Sequence, residues 1–275
     1  MPLIRRLGDI GLYGSLRPIL EMPYLEAFLS DFNPCSLYVG SMQNTKIEPP
    51  PDVHFCLEYA GQNRILRRYV GFSQERIYRQ FAEKYPFGVV MHIVLDAFNS
   101  LMEHVAILQT NPNYHPPQEL QQICQKFSMS PSTRAYRNDM KETLSSFVKG
   151  ILNMYPIRSN PDLDRQLEEA VVGMVDYAVG KRHADAAKPL APFKERDVLQ
   201  AIMEEEAAMM GNGATSFRAY RREFLRQTGD IIWGNVNSHL KRDKKPIAIV
   251  LKAYHLTRVE DRLRENSRHS GQVAP

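Results

Sequence analysis

The stretch Asn160 to Gly180, NPDLDRQLEEAVVGMVDYAVG, decides the reading of the whole chain. Asn160 is a preferred helix cap, and Pro161 takes the first helical position, where a missing N–H costs nothing. Asp162 and Asp164 sit in the first turn, where the helix dipole favours an anion. Leu163, Leu167, Ala170, Val171, Met174, Val175 and Ala178 recur at steps of three and four, and so form one apolar stripe. Gly180 is the expected stop.

The same pattern repeats on both sides. Ser73 predicts a capped helix to Lys84, and Pro86 opens a second to Gln109. Asn111 to Pro117 holds three prolines in seven residues, so it predicts a loop before a helix over 118–128. Pro131 starts a long helix to Tyr155, striped by Tyr136, Met140, Leu144, Val148 and Ile151. Beyond Gly180, the Ala-rich KRHADAAKPLAP (181–192) is expected to be a loop or domain boundary. Helices are expected over 193–210, from Thr215 or Ser216 to Gln227 with Gly229 as stop, over 231–240, and from Pro246 to about Glu265. The apolar start of that last one, Ile247 to Leu251, predicts burial.

The first 72 residues are mixed. Pro23 to Ser30 predicts a short helix, and CSLYVG (35–40) a strand. Ile47 to Pro51 must be an extended arm, because each proline pushes its predecessor out of the helical region. Val53, Phe55, Leu57 and Tyr59 alternate with polar residues, as in a strand. Residues 60–63 predict a turn, and Ile65 to Phe72 either the return strand of a hairpin or a short helix. The fold class is therefore mainly α: an irregular bundle of about nine helices with a small mixed α/β N-terminal part. Three segments are expected, 1–72, 73–180 and 193–275, either distinct or packed as one continuous domain. A chain of 275 residues with 43% hydrophobic and 24% charged residues has material for that core.

Chemistry is sparsely signalled. The phosphate-loop, dinucleotide-binding and nucleophile-elbow patterns are missing from the sequence, and so is Glu-x-x-His. Cys35, Cys56 and Cys124 match no metal or redox spacing. The first twenty residues lack the apolar stretch of a secretory leader, so the expected compartment is the cytoplasm, free or peripheral to a membrane-bound assembly. Phe87 to Leu108 is the nearest thing to a membrane span, but it carries His92, Asp96, Glu103 and His104. A charge at mid-bilayer costs several kcal/mol, so it reads as a buried core helix, and no transmembrane segment is expected.

His92, Asp96, Asn99 and Glu103 share one helical face and together form the candidate metal line of a helical metalloenzyme. The competing reading is a solvent side or a hydrogen-bonded stripe. Glu206 lies in line with Val198, Leu199, Ile202 and Met210, and is expected at the stripe's edge, reaching water. Met174, Met203, Met209 and Met210 suit a core or an adaptable binding surface. Trp233, the one tryptophan, suits a core or an interface.

Charge supplies the remaining signal. Residues 160–215 hold 6 Lys/Arg against 11 Asp/Glu, a net −5, whereas 216–275 hold 13 against 6, a net +7. Either the two neutralise each other side by side, or the basic part meets an acidic partner. Arg218, Arg221, Arg222 and Arg226, followed by Lys241, Arg242, Lys244 and Lys245, are the expected partner-binding residues. With the turn expected at Gly229 they outline a helix-turn-helix, though the second helix is poor in base-reading side chains. The function expected is a non-enzymatic protein–protein interaction subunit without a cofactor, an adaptor or accessory part of a larger assembly such as a secretion machine. Nucleic acid or an anionic membrane, bound through 216–245, is the alternative.

Overall fold

A computed structural model describes residues 27–30, 59–111, 113–128, 134–184, 203–242, 247–251 and 253–270. The described chain is mainly helical, an irregular bundle as the stripes imply. Its helices are α1 (Gln74–Ala82), α2 (Pro86–Thr110), α3 (Gln118–Ser128), α4 (Arg134–Met154), α5 (Pro161–Ala184), α6 (Ala214–Arg242) and α7 (Ala253–Ser270). Residues 59–62 and 203–208 are also helical, and Gly211–Gly213 forms a tight 3-10 turn. The strands are β1 (Ala27–Ser30), β2 (Leu66–Tyr69) and β3 (Ile247–Val250).

Where capping chemistry is local, it operates as expected. The Ser73 hydroxyl accepts the Arg76 N–H at the start of α1, and Asn160 Oδ1 accepts the Leu163 N–H at 2.9 Å at the start of α5. The central helix is α2, against which α1, α3, α4, α5 and α6 all pack. Val89, Val90, Met91, Val94, Leu95, Leu101 and Val105 are all buried, because a helix apolar nearly all round has to be wrapped by others. By length and composition alone it could cross a membrane. In this fold its apolar sides are covered by the bundle.

Six expectations are corrected. Ala27–Ser30 is a strand and not the end of a helix. Ile247–Val250 is also a strand, and α7 begins only at Ala253. β1 lies between β2 and β3, parallel to both, with Ala27 opposite Leu66 on one side and Ile247 on the other. A short apolar, β-branched run is what a parallel strand looks like, and periodicity does not separate it from a buried helix. Of the two forms expected for Ile65 to Phe72, the short helix is corrected: Leu66–Tyr69 is a strand, paired in parallel with β1. Residues 59–62 are helical, not part of a strand and its turn. Parallel strands need long crossovers, and here the connection from β2 to β3 contains almost the entire bundle.

The remaining two corrections concern glycines. Gly180 does not stop α5, which runs on to Ala184. Gly229 does not stop α6 either, and the two expected helices are one helix of 29 residues. The Thr228 hydroxyl folds back on the Phe224 carbonyl at 2.8 Å, leaving the helix unbroken. A Cβ on Gly229 would sit 2.8 Å from Arg258 Cγ of α7, so this glycine serves close helix approach. Consequently the helix-turn-helix outline is absent. The first half of α6 buries Phe217, Tyr220 and Phe224 in the main core. Its second half buries Ile232 and Val236 in a second core with Val70 and Val259, flanked by Ile247, Ile249 and Leu263. Residues 31–58, 185–202 and 243–246, which include the expected strands at 35–40 and 53–58, the Pro-rich arm and the 185–192 loop, lie outside the described residues.

Candidate functional site

The densest polar chemistry lies inside the bundle, where α2 meets α6. Gly88 lets the two helices touch: a Cβ there would fall 2.3 Å from Tyr220 Cγ. The Tyr220 ring therefore lies against the α2 backbone. One turn further along, its hydroxyl is 2.6 Å from His92 Nδ1. Arg221, the next residue, places Nη1 2.8 Å from His92 Nε2. The same guanidinium grips Glu206 at two points, Nε to Oε2 at 2.8 Å and Nη2 to Oε1 at 2.7 Å.

The donor inventory determines the protons. Arginine has no acceptor, so His92 Nε2 must accept from it. Nδ1 then carries the hydrogen and donates to the Tyr220 oxygen, leaving the ring neutral. Phe224 meets the imidazole edge-on at 4.6 Å between centroids, and Tyr78 does so at 5.4 Å. Burial holds the Tyr220 hydroxyl well above its usual pKa, and the Asp96 and Glu206 charges add to this against an opposing Arg221. Both Glu206 oxygens are engaged. The network joins α2, α6 and the 203–208 segment.

One expectation changes here. Glu206 does not reach water. It and Arg221 are each only 7% exposed, and the Arg221 guanidinium faces Glu206 and His92. The metal line is split. His92 turns inward, Asp96 Oδ2 lies 3.7 Å from its Nε2 at the surface, Asn99 is exposed, and the Glu103 side chain lies outside the described residues. Among the described residues no group of three or more His, Cys, Asp or Glu side chains gathers at metal-binding distance.

The expected basic row is dispersed. Arg218 pairs with Glu204 at 2.7 Å, and Arg226 pairs with Glu223 at 2.7 Å and lies 3.8 Å from Asp230. That hydrogen bond holds the Glu223 carboxyl below its ordinary range. Arg222 and Lys241 are exposed. The Arg242 side chain, Lys244 and Lys245 lie outside the described residues. Glu204 and Glu206 therefore neutralise part of α6, as the side-by-side reading has it. Met174, Met209 and Met210 are buried in the main core, and Trp233 packs on the second.

Sequence reasoning missed a second basic surface. Arg64 and Arg67 are exposed, and Arg68 Nη1 lies 3.0 Å from His239 Nδ1 near the end of α6. Asn235 donates to the Val70 and Gly71 carbonyls at 3.0 and 3.3 Å, tying the exit of β2 to the same helix. Arg64 adopts a left-handed φ of 56° in the turn before β2. Leu66 and Tyr69 are each 48% exposed on an outer strand of the sheet. Three arginines within residues 64–68 were the available signal. No protein family, curated protein or solved structure matches the chain.

Proposed function

We propose that this chain is a non-enzymatic interaction subunit, an adaptor within a larger cytoplasmic assembly, and that it meets its partner through the basic surface where β2 joins the end of α6. The observation that carries the reading is the Arg68–His239 contact. It brings the arginines of 64–68 beside the helix end that leads into Lys241, Arg242, Lys244 and Lys245, although 171 residues separate the two in sequence. Exposed Arg64 and Arg67 beside Leu66 and Tyr69 on an outer strand, with Lys241 exposed two residues beyond His239, combine apolar anchors with charge, as binding surfaces do. In the row on α6, Arg218, Arg221 and Arg226 pair with carboxylates of this chain, and Arg222 is exposed.

The test is the mass of the native particle. Tagged chain purified gently from its own cell should elute, by size exclusion with light scattering, well above 31.6 kDa, with a different chain in fixed ratio. Elution at 31.6 kDa alone would overturn the reading.

A further inference from the structure

We infer that the outer edge of β2 takes up an extended acidic segment of the partner as an added strand. The inference rests on the interaction-subunit reading above. β2 ends the sheet order β2-β1-β3, so among the described residues only one of its edges is paired. Alternate residues of a parallel strand direct N–H and C=O away from the neighbour they pair with, and an outer strand offers those groups to an incoming chain.

The side chains say which chain. Leu66, Arg67, Arg68 and Tyr69 run apolar, basic, basic, apolar. Leu66 and Arg68 share one face, while Arg67 and Tyr69 share the other. A second copy of β2 laid antiparallel would put Arg67 opposite Arg68, and like charges directly opposite repel. That excludes self-pairing as the preferred state. The complementary segment reads apolar, acidic, acidic, apolar. It reads the same in both directions, so the match does not depend on whether it enters parallel or antiparallel. Opposite Arg68, the acid would also meet His239, 3.0 Å from that guanidinium.

The experiment uses the full chain and a fluorescein-labelled peptide, Ser-Thr-Val-Glu-Glu-Val-Thr-Ser, read by anisotropy. Binding is expected, and Arg67→Glu should weaken it about tenfold. The exposed position of Arg67 leaves folding undisturbed. A Val-Lys-Lys-Val peptide should prefer the Arg67→Glu chain to the native one. N-methylation of the central amides should abolish binding, because strand addition needs them. Failure to bind, or binding indifferent to Arg67→Glu and to N-methylation, would overturn the inference. So would tight binding of a short duplex DNA or phosphatidylserine vesicles with the peptide excluded. A chain that co-purifies with another protein yet ignores the peptide refutes the added strand alone. A chain that purifies by itself refutes the subunit reading.

Discussion

Arg221 and Glu206 form a two-point ion pair inside the bundle, at 2.7 and 2.8 Å, with both residues almost fully removed from solvent. Fifteen residues separate them, and the pair ties the 203–208 segment to α6. Two charges taken out of water together gain little net stability, but leaving either one alone is costly. Glu206→Leu or Arg221→Met alone should therefore destabilise by about 3–5 kcal/mol. The double replacement Glu206→Leu with Arg221→Met should recover most of that loss, since a packed apolar pair is about neutral. Urea denaturation of the four proteins checks this. Losses that simply add would refute the pair's mutual dependence.

Gly88→Ala sets two effects against each other. Alanine gains about 1 kcal/mol of helix propensity over glycine. Its methyl would arrive 2.3 Å from Tyr220 Cγ, and overpacking of this kind costs about 1–3 kcal/mol. The ring is fixed by His92 and enclosed by Phe81, Tyr85 and Phe224, so the clash should win. The expected result is a lower melting temperature. A rise would mean that α2 and α6 lie further apart.

Gly229→Ala should also destabilise, through Arg258 Cγ at 2.8 Å and Cβ at 3.1 Å. Arg258 is held by Asp230 and is not free to swing away. In an Arg258→Gly background, which removes both the Cγ and the Cβ, the same alanine should stabilise, by up to about 1 kcal/mol, because only the propensity gain remains. A sign that does not change with the background would contradict one continuous α6 packed on α7.

The bundle and its caps were legible because stripes and capping residues act within one or two turns. Ser73 and Asn160 are examples. What was not legible depends on distant partners. Residues 27–30 and 247–250 are strands because they find each other across more than two hundred residues. Gly229 resembles a stop signal, but it is small to admit Arg258 from another helix. Glu206 sits on an apolar stripe, and nothing nearby in the sequence names Arg221 as its counter-charge. The arginines at 64–68 were visible but gained significance only once Arg68 met His239.

Stability should decline at both ends of the pH scale, for two separate reasons. His104 bonds Tyr114 through Nδ1 at 2.6 Å, and burial lowers its pKa below the ordinary value. The folded state thus prefers the neutral ring. Its contribution is present above the unfolded pKa of about 6.5 and is lost as the pH falls further. Tyr220 is the reverse: a raised pKa favours the protonated phenol, and that contribution is lost as the pH climbs beyond about 10. Melting curves should show a shallower acid limb for His104→Asn and a shallower alkaline limb for Tyr220→Phe. Limbs unaltered by these changes would place the titration elsewhere.

A partner bound at the outer edge of β2 should leave its footprint there. Amide hydrogen exchange, compared between the free chain and the native assembly, reads this residue by residue. Slowed exchange over 64–71, with 216–227 unchanged, is the predicted result. Protection centred on 216–227, with 64–71 as open as before, would contradict it.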